Sequence, residues 1–258
     1  MKNILVVITT AFVPTGGLTT VMMNYYRMMN KEEVKIDFAS TNNPPQVLLD
    51  EIHASGSEYY QLSDRKNVLA YFFALKKLCR GYDAIHVHAN SAMAVMELQA
   101  AIWAGIKIRI IHNHSSRSQH NLLNQLFLSL YRRSFTQAVA CSDEAGEWLY
   151  GKNGFITLRN AINAKRFKFD VVKRLIMRHN FGFGDDEYVI GHIGKFMEAK
   201  NHSFLIEVFA KYHALQPKSK LLLIGDGELR HLVEAAIDKN KVNDCVISVS
   251  YTHLTLPT

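Results

Sequence analysis

Long apolar runs and paired cysteines are both missing from this sequence. No stretch reaches eighteen consecutive apolar residues, so no membrane-spanning helix is predicted. Cys79, Cys141 and Cys245 are far apart and include no CxxC pair, which argues against a disulfide framework and a zinc knuckle and favours a cytoplasmic location. The apolar run at residues 4–8 is too short for a secretory signal and is interpreted as a first β-strand.

Charge is not concentrated in any one segment either. The 258 residues are 21% charged with a net charge of +7, and the basic residues are dispersed, as on an ordinary solvated surface. No arginine-rich helix or aromatic-interleaved basic stretch occurs, so nucleic-acid binding is not predicted. A basic surface does suit nucleotide diphosphates and an anionic membrane leaflet. We therefore expect peripheral contact with the inner face of the membrane.

What the sequence does contain is an alternation of short apolar runs and amphipathic helical patterns. Strict polar alternation is absent from the runs, as in strands buried on both faces of a parallel sheet. The pattern predicts an α/β fold with doubly wound parallel sheets. The predicted strands lie at residues 4–8, 34–40, 84–87, 106–111, 137–140, 156–159, 188–193, 220–224 and 245–249. Apolar stripes predict core-facing helices near residues 18–29, 94–102, 122–130, 204–212 and 229–237.

The pattern restarts after a region of weak periodicity, which indicates two domains. The first is expected at residues 1–165, a linker with a helix near 171–180 at residues 166–187, and a partial second domain at residues 188–249. Residues 250–258 have no helical period and are interpreted as a non-native tail. Helix N-caps are predicted at Ser142, Asn201 and Asp226.

Gly16 and Gly17 follow the first predicted strand and precede a helix. Glycines let a backbone approach a ligand closely, and a helix N-terminus favours an anion. The loop is not a GxGxxG motif, so dinucleotide binding in its usual form is not supported. A tight strand-to-helix turn explains the two glycines equally well.

Histidines lie at the ends of two predicted strands. His112 and His114 share one face at a spacing of two residues, at the strand ends where α/β sheets gather ligands. His88, in a His-x-His pair of its own, is a weaker candidate of the same kind. No metal is predicted, because no cysteine or carboxylate flanks these residues at a recognisable spacing. A hydrogen-bonded structural role is the alternative for each ring.

A strand end in the second half carries Gly194-Lys195, and Lys200-Asn201 follows just before a predicted helix. Two cations and a helix N-terminus in one place predict a diphosphate cradle. Two ordinary surface lysines are the alternative.

The next predicted strand ends in a glycine-rich turn, Gly225-Asp226-Gly227. That turn is expected either to lie against a nucleotide or to be a plain turn capped by Asp226.

These motifs, in this order, resemble family 4 glycosyltransferases over about residues 1–248. The match is most specific from Gly191 to Phe209. The resemblance implies a GT-B fold with two Rossmann-like domains, retention of anomeric configuration, and no metal or other cofactor. The family's downstream Glu-x7-Glu motif has no counterpart after Leu229. We therefore expect the second domain to be incomplete and the chain by itself to be impaired.

The resemblance also implies roles for individual residues. Gly16 and Gly17 would lie near the donor phosphate and sugar, and His114 would contact the sugar, with His112 as second choice. Lys195 and Lys200 would neutralise the diphosphate as the leaving group gains charge. Lys195 stands where arginine is common, so the charge is kept but the bidentate fork is not.

The predicted function is therefore transfer of a sugar from a nucleotide diphosphate, most simply UDP, to a lipid-linked or polysaccharide acceptor in cell-surface polysaccharide biosynthesis. Two alternatives stay open. One is a GT-B-like nucleotide-sugar epimerase, which would need acid and base carboxylates in its site. The other is a nucleotide-binding fragment without turnover.

Overall fold

The computed structural model describes residues 1–117 and 121–250, so residues 251–258 of the predicted non-native tail lie outside the described residues. The chain divides into two compact units between Arg166 and Phe167. This division falls at the start of the predicted linker, and the linker's helix at residues 171–180 belongs to the second unit.

The first unit is built on a seven-stranded sheet in which every neighbouring pair is parallel. The order β3-β2-β1-β4-β5-β6-β7 reverses direction between β1 and β4, and such a reversal marks where open α/β sheets bind ligands. The doubly wound fold predicted from the sequence is confirmed. The strands are β1 (Lys2–Ile8), β2 (Val34–Ser40), β3 (Tyr59–Gln61), β4 (Ala84–Ala89), β5 (Ile108–Asn113), β6 (Gln137–Ala140) and β7 (Ile156–Thr157).

Within the residues that the structure describes, six α-helices connect these strands. The side chain of Ser142 accepts a hydrogen bond from the Ala145 N–H and caps the last of them, as predicted. The second and third helices and the strand β3 are not predicted by the sequence pattern. The helices are α1 (Gly17–Met28), α2 (Gln46–Ala54), α3 (Val68–Cys79), α4 (Val95–Trp103), α5 (Asn121–Ser134) and α6 (Asp143–Tyr150).

Alternate residues of β1 enter two separate cores. Leu5 and Val7 pack in a cluster with residues of α3, α4 and α6, whereas Val6 and Ile8 pack with residues of α1 and α2. This alternation is the period-two geometry of a strand. It explains why the run is apolar throughout: both faces of the sheet are covered.

The apolar stripe of α5 faces the core only in part: Phe127 packs against the core cluster, but the leucines of the stripe are exposed, contrary to the expectation from the pattern. Leu122 and Leu126 are 84% and 71% exposed. The buried side of α5 carries Asn124 and Tyr131 instead, and the Asn124 side-chain oxygen accepts a hydrogen bond from the Ala92 N–H. A polar contact therefore sets which side of α5 is buried.

The second unit contains a three-stranded parallel sheet of order β10-β9-β8. Its core includes Phe196, Ile206, Leu221 and Leu223. Its elements are α7 (Val171–Asn180), β8 (Tyr188–Ile193), α8 (His202–Leu215), β9 (Ser219–Ile224), α9 (Arg230–Lys239) and β10 (Val246–Val249). Across both described ranges, no helix has the length and apolar character that spanning a membrane requires.

Candidate active site

The first unit has a pocket of about 490 Å³ at the carboxyl ends of β1, β4 and β5, beside the reversal of strand order. Gly17 borders it at the start of α1, Asn90 follows β4, and His114 follows β5. Residues 160–162 line it as well. The fold therefore brings together Gly17 and His114, which lie almost a hundred residues apart in the sequence.

The two glycines of the first loop have different environments. Gly16 precedes α1 at its N-cap position, and its N–H donates to the Val13 carbonyl at 2.9 Å. A Cβ atom at Gly16 would lie 3.2 Å from that carbonyl oxygen, whereas a Cβ at Gly17 would meet nothing within 4 Å. Gly16 thus serves the turn, and Gly17 leaves space in the pocket.

His114 is held from two sides. Its backbone N–H donates to the Ala89 carbonyl at 3.1 Å, and its Nε2 lies 2.9 Å from Nδ1 of His88. Burial lowers the pKa of His114 to about 4. The ring is therefore neutral near pH 7 and able to donate or accept a hydrogen bond with a sugar hydroxyl.

Asn90 is a polar residue of this pocket that the sequence analysis does not single out. Its side-chain oxygen is buried, and no described residue donates a hydrogen bond to it. A buried acceptor of this kind is costly unless a ligand or water satisfies it. Asn90 lies three residues after the predicted strand 84–87 and directly after the observed strand β4.

His114 adjoins a cluster of three further histidines, His86, His88 and His112. The parallel register pairs His88 with His112 across β4 and β5, and His86 shares their face two residues before His88. One ring nitrogen from each of the three lies within 4.8 Å of the others. Burial, and then the charges of neighbouring histidines, lower the pKa of His112 to about 2.

The cluster lies in a cavity of about 280 Å³ on the side of the sheet that α1 covers. Met22 and Tyr25 of α1 line this cavity together with the three rings. His112 is 1% exposed, and neither of its ring nitrogens has a hydrogen-bond partner among the described residues. The sequence predicts His88 and His112 as candidates and offers His86 only as the other member of the first His-x-His pair. Only the register shows that the two pairs adjoin.

In the second unit, Lys195 and Lys200 are both exposed beside the N-terminus of α8. The aliphatic stem of Lys200 would contact a Cβ at Gly194 at 3.7 Å, so this stem packs against the loop. Across residues 1–117 and 121–250, neither lysine forms an ion pair. Both charges are available to an anion.

Asn201 occupies the N-cap position of α8 as predicted, but its side chain makes no capping hydrogen bond. Its backbone is left-handed, with φ of 46°, a conformation that asparagine tolerates better than most residues. Asn201 therefore serves the turn between Lys200 and the helix.

Gly225 and Gly227 pack against the loop at residues 194–200, which carries Lys195 and Lys200. A Cβ at Gly225 would lie 2.0 Å from the Gly194 carbonyl oxygen, and one at Gly227 would lie 2.4 Å from that of Phe196. The Phe196 N–H donates to the Asp226 carbonyl at 2.9 Å. Both glycines are thus required for the two loops to adjoin.

The prediction that Asp226 caps the following helix is wrong, because α9 begins only at Arg230, with Leu229 as its N-cap residue. The Asp226 carboxylate instead accepts a hydrogen bond from the Arg230 side chain at 3.1 Å.

The model of Glycosyltransferase Family 4 matches residues 15–172. The putative glycosyltransferase EpsF of Bacillus subtilis (strain 168) is 28% identical over 246 residues, which are 89% of this chain and 64% of EpsF. The N-acetyl-alpha-D-glucosaminyl L-malate synthase of Bacillus anthracis is 23% identical over 234 residues, 84% of this chain and 60% of that protein. The chain thus spans less than two thirds of the length of these curated relatives.

Among solved structures, Anabaena Alr3699/HepE in complex with UDP-glucose has a TM-score of 0.77 at 17% identity, covering 97% of this chain and 69% of that one. At this identity the likeness concerns the fold, and it confirms the GT-B-like architecture expected from the sequence.

Proposed function

The chain belongs to Glycosyltransferase Family 4, and on that premise we propose that the protein transfers a sugar from a UDP-sugar to a lipid-linked or polysaccharide acceptor, with retention of anomeric configuration. The proposal rests chiefly on Lys195 and Lys200, two exposed cations beside the N-terminus of α8. Neither forms an ion pair with a described residue. The complex of HepE with UDP-glucose and the likeness to EpsF support a nucleotide-sugar donor in polysaccharide biosynthesis.

The proposed donor site uses the lysines as fixed charges. When the bond between sugar and phosphate breaks, negative charge grows on the departing diphosphate. Lys195, Lys200 and the free N–H groups of α8 stabilise that charge without help from a metal. The packing of Gly225 and Gly227 against this loop holds the cations in place before the donor arrives.

The proposed sugar contact is His114 in the pocket of the first unit. Its neutral ring and the Asn90 oxygen, which has no partner among the described residues, offer a donor and an acceptor to the pocket. Gly17, which also lines the pocket, leaves the helix N-terminus open. This arrangement suits a polyhydroxylated ligand with a neighbouring anionic group.

The proposed acceptor is presented at an anionic membrane, and a surface of the first unit fits that role. We define the basic-apolar face as the exposed surface of α3 and α5 with Trp103 at the end of α4. Leu69, Trp103 and Leu126 on it are 71%, 61% and 71% exposed. Nζ of Lys76 lies 5.3 Å from the Trp103 ring centre, and Lys66 borders a cavity that residues of α3, α4 and α5 line. Exposed apolar side chains flanked by cations are typical of proteins that bind the membrane interface.

A nucleotide-sugar epimerase is the alternative from the same fold class. Such an enzyme needs acid and base groups at the sugar, and no described residue that lines the His114 pocket is a carboxylate. Transfer is therefore favoured. An epimerase would convert its donor with no acceptor present, which a product analysis detects directly.

Calorimetric titration of the protein with UDP tests the donor site. We expect Lys200→Ala and Lys195→Ala each to weaken UDP binding by about ten- to hundredfold, because each removes a charge-assisted contact worth roughly 1.5–3 kcal/mol. Lys211→Ala is the matched control, since Lys211 is an exposed lysine later in the same helix α8. Equal affinity of Lys200→Ala and Lys211→Ala for UDP would contradict the proposed donor site.

A further inference from the structure

We propose that His86, His88 and His112 form a binding site for a transition-metal ion in the first unit. The site is separate from the proposed chemistry of transfer, which uses lysines and no metal. Three imidazoles and no carboxylate define its preference, since imidazole suits Zn²⁺, Cu and Ni whereas Mg²⁺ and Ca²⁺ favour oxygen ligands.

The pairing of β4 with β5 brings the three rings together on one face of the sheet. His86 and His88 lie on one face of β4, and His112 is the direct partner of His88 on β5. Their ring centres form a triangle, with separations of 4.3 Å between His86 and His88, 5.0 Å between His88 and His112, and 5.7 Å between His86 and His112. The ligands are carried by two hydrogen-bonded strands, so the sheet itself fixes their spacing.

The distances are within reach of coordination. The ring nitrogens lie within 4.8 Å of one another. Zn–N bonds of about 2.0–2.1 Å put two tetrahedral ligands roughly 3.3 Å apart. Closing the triangle thus requires shifts of about 1.5 Å at most. The rings of His86 and His112, whose planes are 4° apart, must also tilt toward a common point.

The unsatisfied nitrogens are an independent sign of a ligand. Both ring nitrogens of His112 and Nε2 of His86 are buried and have no partner among the described residues. Unpaired polar atoms in an otherwise apolar cavity are costly, and a metal ion bonded to them removes that cost. The cavity of about 280 Å³ leaves space for a water or hydroxide as the fourth ligand.

The proposed ion is linked to the sugar contact through His88. Nδ1 of His88 faces His114, and a histidine that ligates through one nitrogen is commonly oriented by a hydrogen bond at the other. Coordination through Nε2 would fix the Nδ1 proton on His88, so that His88 donates and His114 Nε2 accepts. The ion would therefore select the tautomer of His114 while lying outside the sugar pocket.

Titration of the EDTA-stripped chain, produced without a polyhistidine tag, tests the site. Co²⁺ is followed by its visible absorption and Zn²⁺ by competition with a chromogenic chelator. We expect one ion per chain, a Co²⁺ spectrum without thiolate charge-transfer bands, and a rise in the thermal unfolding midpoint on adding Zn²⁺.

His112→Asn and His86→Asn are the test variants, each expected to weaken binding by about tenfold or more. His53→Asn is the control, because His53 is an exposed histidine on α2. Circular dichroism in EDTA establishes that each variant is folded. No stoichiometric uptake by the unmodified chain overturns the proposal, as does unchanged affinity in a folded His112→Asn or His86→Asn variant. Should both variants fail to fold, X-ray absorption of the Zn²⁺ complex decides, and fewer than three imidazole ligands overturn it.

Discussion

Nδ1 of His88 and Nε2 of His114 lie 2.9 Å apart, which couples a buried ring to a ring that lines the proposed sugar pocket. One of these nitrogens must carry a proton and the other must not. The proton on His88 therefore determines whether His114 presents a donor or an acceptor to the pocket.

Replacing His88 by phenylalanine should lower turnover without abolishing donor binding. The lost hydrogen bond is worth about 0.5–1.5 kcal/mol, so we expect kcat to fall roughly two- to tenfold. His88→Gln should restore part of the loss, since an amide can still pair with His114. Initial rates of the proposed sugar transfer are measured in EDTA, which separates this effect from that of any bound metal. His53→Phe is the control. A kcat equal to that of the unmodified protein in a folded His88→Phe variant would contradict the coupling.

The contact between the two glycine-containing loops makes Gly225 sensitive to substitution. Gly225→Ala places a methyl group 2.0 Å from the Gly194 carbonyl oxygen. Overpacking of this kind costs about 1–3 kcal/mol, and the shifted loop carries Lys195. We expect a lower free energy of unfolding in urea and weaker UDP binding. Gly191→Ala is the control, because a Cβ there meets nothing within 4 Å. Similar losses in the two variants would show that the contact is not the cause.

The basic-apolar face predicts binding to anionic vesicles. Leu122→Ser combined with Leu126→Ser should reduce partitioning onto phosphatidylglycerol vesicles by tenfold or more, since burying one leucine contributes about 1.5–3 kcal/mol. Leu215→Ser in the second unit is the control at an exposed leucine. Co-sedimentation should also weaken with added salt. Equal partitioning onto phosphatidylcholine would refute the charge-dependent part of this prediction.

The buried histidines predict that acid destabilises the first unit. Burial lowers the pKa of His86 and of His114 to about 4, against about 6.5 in an unfolded chain. Between these values the unfolded state binds more protons than the folded state. The contribution of these two rings to the free energy of unfolding is therefore greatest above about pH 6.5, and it falls as the pH decreases toward 4.

Urea unfolding in EDTA at about pH 7.5 and about pH 5 measures this difference. His114→Gln should make it smaller, because one titrating ring is removed, and His53→Gln should leave it unchanged. If the His114→Gln variant loses as much free energy of unfolding between the two pH values as the unmodified protein, His114 is not one of the groups that cause the loss.

Strands buried on both faces were predictable because their apolar runs are bounded by turn residues. Val34–Ser40, whose last five residues are buried, has the bounds expected from the sequence. Tyr188–Ile193 also has the expected bounds, although it is a partly exposed edge strand. The edge strand Tyr59–Gln61 was not predicted, since three residues carry no periodicity. Helix α3 was missed for a different reason: its sequence VLAYFFALKKLC is apolar on most sides and shows no narrow stripe.

Several single residues of the candidate site could be predicted from the sequence, but not which of them lie next to one another. A histidine at a strand end, such as His114, is visible in one segment, as are the lysines that flank a helix start. The third ring of the cluster, His86, depends on which strands are neighbours and in what register. The exposure of Leu122 depends on Asn124 being bonded to another segment. Neither relationship is encoded locally.

The register that pairs His88 with His112 has a consequence for observing how the first unit folds. A slip of one residue between β4 and β5 would turn His112 to the opposite side of the sheet, among the side chains around Ile111. The stacking of His112 on His114, with ring centres 4.1 Å apart, exists only while β5 is extended, and that of His88 on His112 only while the two strands are paired correctly. The ring-current shifts of the imidazole proton resonances therefore report when the centre of the sheet assembles during folding.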